Sequence, residues 1–277
     1  MLFKQPKTQD ELKRFYPAIF SESEKETLSN KYLYIPTYKL IDGLVDNGFK
    51  IIGASQAKSR TTSRDHAKHV VYLTHDNIQS PSIVGQEIPM LALTNSHNGL
   101  SSFAIDTAFF RLACSNGLLM PTSSMNSARI VHKIGMEQDV LNAAYSVVSE
   151  FPKQIEQILM MKQIELSRDE KYFLAESSQN IAFTEEQIEL NKTLGREIAP
   201  RLLNARRSAD QKDDLWATFN VIQENIIKGG VRIVSQNETG QRSLRKTRPV
   251  NSIDRDAKLN KELMALAQKI LDLKKAA

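Results

Sequence analysis

Five histidines and one cysteine are the side chains of this sequence most suited to chemistry. His66, His69 and His75 lie close together, and His97 stands beside Asn98-Gly99. On a strand from 67 to 75, His69 and His75 share a face but are about 20 Å apart at 3.3 Å per residue, too far to hold one ion. His69 and His97 can meet across adjacent strands, and a structural or hydrogen-bonding role is the expectation for the set. Cys114 follows Arg111, Leu112 and Ala113 and precedes Asn116-Gly117. A nucleophile there would need His69, His97 or His132 as its base. No flanking signature accompanies it, and a lone cysteine beside Leu112, Ala113 and Leu118 reads as a small core residue. The chain has no GxxxxGKS or GxxxxGKT loop, no GxGxxG and no HExxH, so nucleotide hydrolysis, dinucleotide chemistry and zinc proteolysis lose their usual warrant. No catalytic residue, cofactor or metal is expected.

Binding chemistry is better represented, in two basic stretches. Lys58, Arg60, Arg64 and Lys68 alternate with Ser59, Thr61, Thr62 and Ser63, and phosphate oxygens accept from cations and hydroxyls alike. Lys228, Arg232, Arg242, Arg245, Lys246 and Arg248 are opposed only by Glu238. A flexible segment of this composition suits an arm that follows a phosphate backbone. Tyr72, Phe103, Phe109 and Phe110 lie on expected strands. They would serve as stacking platforms for unpaired bases if they faced outward, although aromatics so placed more often fill a core.

The charge is uneven along the chain. Residues 1–135 carry 15 basic and 11 acidic residues, residues 136–199 carry 6 and 12, and residues 200–277 carry 16 and 9. An acidic middle and a basic C-terminal part fit either a nucleic-acid partner or mutual attraction between copies of the chain. Mean composition is that of an ordinary globular protein, at 41% hydrophobic and 25% charged residues, which excludes collagenous and wholly disordered classes. One cysteine makes no internal disulfide, in keeping with a reducing compartment. The charged N-terminus and the lack of a long apolar window suit neither a secretory signal nor a membrane span. The expected location is the cytoplasm.

Several elements must position these residues. Thr8 to Glu11 and Ser21 to Glu24 have capping-box spacing, predicting two short helices before residue 32. Thr37 precedes the helical stripe Leu40, Ile41, Leu44 and Val45, which Asn47-Gly48 should stop. From 49 to 134, β-branched and aromatic runs predict strands at 49–57, 67–75, 87–95, 100–106, 109–114 and 128–134. Asn98-Gly99 between the third and fourth predicts a tight antiparallel hairpin. The period then turns helical, with Pro152 placed to kink or divide a long helix and Pro200 to start a new one. A further helix is expected from Asp213 to Lys228, ended by Gly229-Gly230. A mobile basic loop is expected over 235–252, because only Leu244 and Val250 are sizeable aliphatics there. A last amphipathic helix should run from Asp254 to Lys275.

Taken in order, Pro36 to Leu44 with Gly48-Phe-Lys50, Asn95 to Gly99, Phe110 to Gly117 and Phe219 to Gly230 resemble the phage/plasmid-like proteins of the domain-of-unknown-function 932 family. The resemblance implies a genetic setting of prophages, plasmids and integrative elements, where recombination and antirestriction genes cluster. It brings no reaction and no catalytic residues. Physically, Asn98-Gly99 and Asn116-Gly117 read as turn positions. Arg111, in an apolar strand, needs a partner such as Asp106. Asn220 and Glu224 are an i, i+4 polar pair on an apolar helix, expected to cap sheet edges or else to line a ligand groove.

These readings converge on an α+β fold. A mostly antiparallel sheet with N-terminal helices should fill 1–135, followed by a largely helical part over 136–277 that packs on it. The function expected is non-enzymatic binding of nucleic acid in a mobile genetic element, with single-stranded DNA in recombination or replication first. The alternative is a protein-binding inhibitor of host defence of the antirestriction type, and a hydrolase or nuclease without a recognised motif stands third. A homo-oligomer fits either, and no membrane partner is expected.

Overall fold

The segment Thr37–Asp46 shows how local sequence sets the architecture. Its apolar residues recur at helical spacing, Leu40, Ile41 and Leu44 are buried, and the chain escapes at Gly48 with φ of 87°. A β-carbon on Gly48 would stand 3.1 Å from the His75 ring. Glycine therefore serves both the backbone angle and the close approach. This helix is α2; α1, Gln9–Phe15, precedes it, followed by a single 3₁₀ turn at Pro17–Phe20. The computed structural model describes residues 9–22, 34, 36–57, 63–75, 87–98, 103–111, 116–119, 128–130 and 136–276. The predicted capping box at Ser21 to Glu24, and Cys114, His132 and Gly99, lie at least partly outside the described residues.

After α2 come β1 (Phe49–Gln56), β2 (His69–His75), β3 (Glu87–Asn95), β4 (Phe103–Arg111), β5 (Asn116–Leu119) and β6 (Ala128–Ile130). They form one sheet in the order β1-β2-β3-β4-β5, and β6 also pairs with β4. Every pairing is antiparallel. The stretches 100–106 and 109–114, expected as two strands, contribute mostly to a single strand, because nothing at Thr107-Ala108 breaks the ladder against β3. The last paired positions of β3 and β4 are Thr94 and Ala104. The connection is therefore longer than the two-residue turn that Asn98-Gly99 suggests. The central strands are buried on both faces, with Val71, Leu73, Leu91, Leu93, Ile105 and Phe109 among the core. Near-continuous apolar runs in β2 and β3 reflect that two-sided burial.

The helix α3, Met136–Gln163, runs through Pro152 unbroken. Pro152 is solvent-exposed, so a carbonyl that loses its helical partner there can be hydrated. Next come α4 (Arg168–Ala182), α5 (Glu185–Thr193), the short α6 (Ala199–Leu202), α7 (Leu215–Lys228), β7 (Arg232–Gln236), β8 (Arg242–Lys246) and α8 (Ile253–Ala276). Capping boxes start α4 and α5, at Ser167 with Glu170 and at Thr184 with Gln187. Two compact units result. The first is drawn from residues 2–155, the second from 156–250 and 254–277. The architecture is α+β. Among the described residues no helix is long and apolar enough to cross a membrane.

Candidate nucleic-acid interface

The residues singled out for chemistry fall into two settings, one buried and one exposed. In the first unit, Thr37, His69, Asn95 and His97 are all 0% exposed. The pairing His69↔Asn95 places these two opposite each other on β2 and β3, and the start of α2 brings Thr37 between them. Nδ1 of His69 donates to the Ala67 carbonyl at 2.9 Å, which leaves Nε2 to accept from the Thr37 hydroxyl at 2.8 Å. The Asn95 amide donates to Thr37 Oγ1 at 2.9 Å, and its oxygen accepts from the Ser96 backbone amide at 2.8 Å. Nε2 of His97 donates to the Ala18 carbonyl at 3.0 Å, and the His69 and His97 ring centroids are 5.2 Å apart.

Burial holds His69 neutral, its pKa pushed down to about 4 against the support of the Ala67 carbonyl. The two histidines that the sequence allowed to meet across strands do meet, within a hydrogen-bonded core. Neither ring is exposed to solvent. Among the described residues no group of three or more histidine, cysteine or acidic side chains is placed to hold a metal ion. Tyr72, Phe103 and Phe109 are core residues, the commoner fate of aromatics on such strands, and the stacking role that needed them to face outward falls away. Phe109 packs edge-on against Phe151 with centroids 5.8 Å apart.

The first basic stretch is only partly visible. Lys58 and Arg60 lie outside the described residues. Arg64 is exposed and donates to the Phe15 carbonyl at 3.4 Å, and Lys68 is half-buried beside β2.

The second stretch pairs into a hairpin over 232–246, where the sequence led to the expectation of a mobile basic loop over 235–252 without strands. Strands β7 and β8 pair from Arg232↔Lys246 to Gln236↔Arg242. At the tip, Gly240 takes φ of 79°, and the Asn237 side chain accepts from the Gln241 amide at 2.8 Å and from the Thr239 hydroxyl at 2.8 Å. At the base, Gly230 N donates to the Thr247 carbonyl and Thr247 N to the Val231 carbonyl, both at 2.8 Å. Gly229, with φ of 65°, lies so close to the returning strand that a β-carbon would stand 2.6 Å from the Thr247 carbonyl oxygen.

A further clamp comes from α5. Asn191, 0% exposed, accepts from Val234 N at 2.8 Å and donates to Val234 O at 2.9 Å. One side-chain amide thus takes the place of a neighbouring strand on the open side of β7. Gly229-Gly230, read from the sequence as the end of the preceding helix, also start this hairpin. Asn191, 43 residues from Val234, gave no signal in the sequence.

The cations of this stretch, taken with the neighbouring Arg207, divide into two sets. Arg207 and Lys228 both bond Glu224, a carboxylate on the buried helix α7, and Arg207 also pairs with Asp210 at 2.8 Å. Lys228 is therefore committed to the fold. Glu224 neither caps a sheet edge nor lines a groove, as was expected of it, and Asn220 donates to the Trp216 carbonyl within its own helix at 2.7 Å. Arg232, Arg242, Arg245, Lys246 and Arg248 are the other set. All five are exposed, and among the described residues none is paired with a carboxylate. Two are held in orientation by neutral neighbours: Arg245 Nε donates to Ser243 Oγ at 2.8 Å and Arg242 Nε to Gln236 Oε1 at 3.4 Å.

A family model described as a domain of unknown function, DUF932, matches residues 25–264. The UPF0380 protein YafZ of Escherichia coli (strain K12) is 35% identical over 267 residues, which cover 96% of this chain and 92% of that protein. The UPF0380 protein YfjQ of the same strain is 34% identical with the same coverage. No solved structure matches the chain.

Proposed function

The chain belongs to the DUF932 family, whose function is unknown, and from that premise we propose that it is a nucleic-acid-binding protein that grips phosphates through the β7–β8 hairpin. Single-stranded DNA in recombination or replication of a mobile element is the first substrate, the mobile element resting on the family resemblance alone. One observation carries this reading. Five exposed cations, without carboxylate partners among the described residues, stand on or beside a paired hairpin, while the neighbouring Arg207 and Lys228 are neutralised within the fold.

A guanidinium presents a planar fork to a phosphate and keeps its charge at any physiological pH. Four of the five cations are arginines. Ordering the hairpin in advance lowers the entropy cost of binding relative to a disordered arm. Contacts of this kind position a protein on a nucleic-acid strand without reading its bases, so weak sequence preference is expected.

The test is a polarisation titration of the full chain against labelled single- and double-stranded oligonucleotides of mixed sequence at low ionic strength. Saturable binding, tighter to the single strand, is the expected result. Absence of binding to both forms overturns the proposal, and preference for the duplex overturns its substrate.

A further inference from the structure

We infer that the β7–β8 hairpin also touches unpaired bases, with Leu244 as the apolar centre of the contact; this deepens the phosphate-binding reading above and rests on it. Residues paired across an antiparallel ladder project from the same face. Arg232 with Lys246, Val234 with Leu244 and Gln236 with Arg242 therefore share one side of the hairpin. Arg245 lies on the other, paired with the buried Ile233.

The shared face is an apolar centre between two cationic ends. Val234 is 7% exposed and Leu244 is 51% exposed, while Arg232, Lys246 and Arg242 are all exposed around them. Side chains two residues apart on a strand are spaced by about 6.6–6.8 Å. Cations at 242 and 246 thus flank Leu244 at a step that lets each take a phosphate while the leucine lies against what those phosphates connect.

Two simpler roles account for less of this face. Charges on an edge strand protect it from pairing with other strands, but protection gains nothing from a half-exposed leucine in the middle of the row. Packing within the fold would bury the leucine as it buries Val234. Asn237 closes the tip, Asn191 bonds the backbone of Val234 opposite Leu244, and Gly229 lets the base approach the returning strand, so that Leu244 stands at the middle of a paired hairpin. An apolar side chain framed by cations fits a strand whose bases are exposed. In a closed duplex only base edges are open in the grooves, and the base faces are out of reach of a surface leucine unless the helix is forced open.

The experiment uses the full chain and two labelled probes of equal length and equal phosphate number. One is an oligothymidine, and in the other base-free sugar spacers replace the central nucleotides. Wild-type protein should bind the oligothymidine tighter by roughly five- to tenfold, the worth of covering the exposed half of a leucine. Leu244→Ser should bind both probes equally, at the wild-type level for the base-free probe, and Leu244→Phe should restore or widen the preference. Lys246→Gln should weaken both probes by the same factor. The thermal midpoint of each variant confirms that the hairpin is retained.

If wild-type protein binds both probes equally, the base contact is overturned and phosphate binding stands. An unchanged preference in Leu244→Ser also overturns it. If wild-type protein binds neither probe at low salt, the nucleic-acid reading falls and the base contact falls with it.

Discussion

Thr37, His69, Asn95 and His97 in the first unit are buried and hydrogen-bonded through Thr37, whereas Arg232, Arg242, Arg245, Lys246 and Arg248 in the second are exposed and, among the described residues, unopposed by carboxylate. The histidine-bearing strings are the more conspicuous in sequence, and they build core. The arginine-bearing string looks like a linker, and it is a hairpin with free charge. In a low-dielectric interior each polar group must find its partner, so distinctive residues at fixed places can report packing alone. Charge that the fold leaves uncompensated, at some cost in self-repulsion, is the better pointer to a partner.

The contrast breaks most sharply at Gly229. Gly229→Ala forces a β-carbon into the Thr247 carbonyl at a backbone angle alanine resists, at a cost of roughly 2–5 kcal/mol from strain and overpacking together. Chemical denaturation should show that loss, and any folded fraction should bind oligonucleotide more weakly because the base of the hairpin is displaced. Asn95→Leu should cost about 2–4 kcal/mol, since it leaves the Ser96 amide without its acceptor and removes a donor to Thr37. Oligonucleotide affinity of the folded protein should stay unchanged. A loss of affinity in Asn95→Leu would place the buried cluster in the binding apparatus.

Acid titration sharpens the comparison, because the two units bury groups of opposite sign. The folded first unit withholds a proton from His69 down to about pH 4, while the unfolded chain takes one up near 6.5. This contribution is complete above pH 6.5 and is lost as pH falls toward 4, about 3 kcal/mol in all. In the second unit burial raises the Asp256 carboxyl to about 6, with the Asn260 amide, 2.7 Å away, opposing the shift. The folded state there keeps a proton that the unfolded chain releases near 3.8, so stability is gained as pH falls from 6 toward 4. Asp256→Asn should accordingly stabilise the protein above pH 6 by on the order of 1–3 kcal/mol and bring no gain below pH 4. Denaturant midpoints across pH 4–7 check both. A gain from Asp256→Asn that persists at pH 4 would remove titration as its cause. The smallest effect on stability is expected from replacing Arg242, Arg245, Lys246 and Arg248 with glutamine, within about 0.5 kcal/mol, since exposed unpaired side chains contribute little to folding.

Much of the fold was legible in the sequence where local chemistry decides it. The stripe and glycine stop of α2, the extent of α7 and its Gly229-Gly230 end, and the antiparallel pairing of β3 with β4 all follow from spacing and turn residues. The merging of two expected strands into β4 did not, because turn-like residues there are overridden by pairing with β3. The β7–β8 hairpin was hidden for another reason. Only Ile233 and Val234 in it are buried, and its inner edge is held by a side chain from α5 rather than by a strand with its own alternating pattern. Thr37 carried no sign of its link to His69 and Asn95, since that link exists only once the start of α2 meets the sheet. Of the candidate interface, the cations were legible and their placement on a paired hairpin was not.

Salt dependence measures most directly whether the hairpin cations are free to take phosphates. Each phosphate contact on a single strand lowers log K by about 0.7 per unit of log salt. Polarisation titrations of wild-type protein and of the variant carrying glutamine at 242, 245, 246 and 248 should therefore give slopes differing by up to about 3, the variant being the shallower and equally stable. Equal slopes, or a wild-type protein whose binding does not respond to salt, would show that these cations do not hold phosphates.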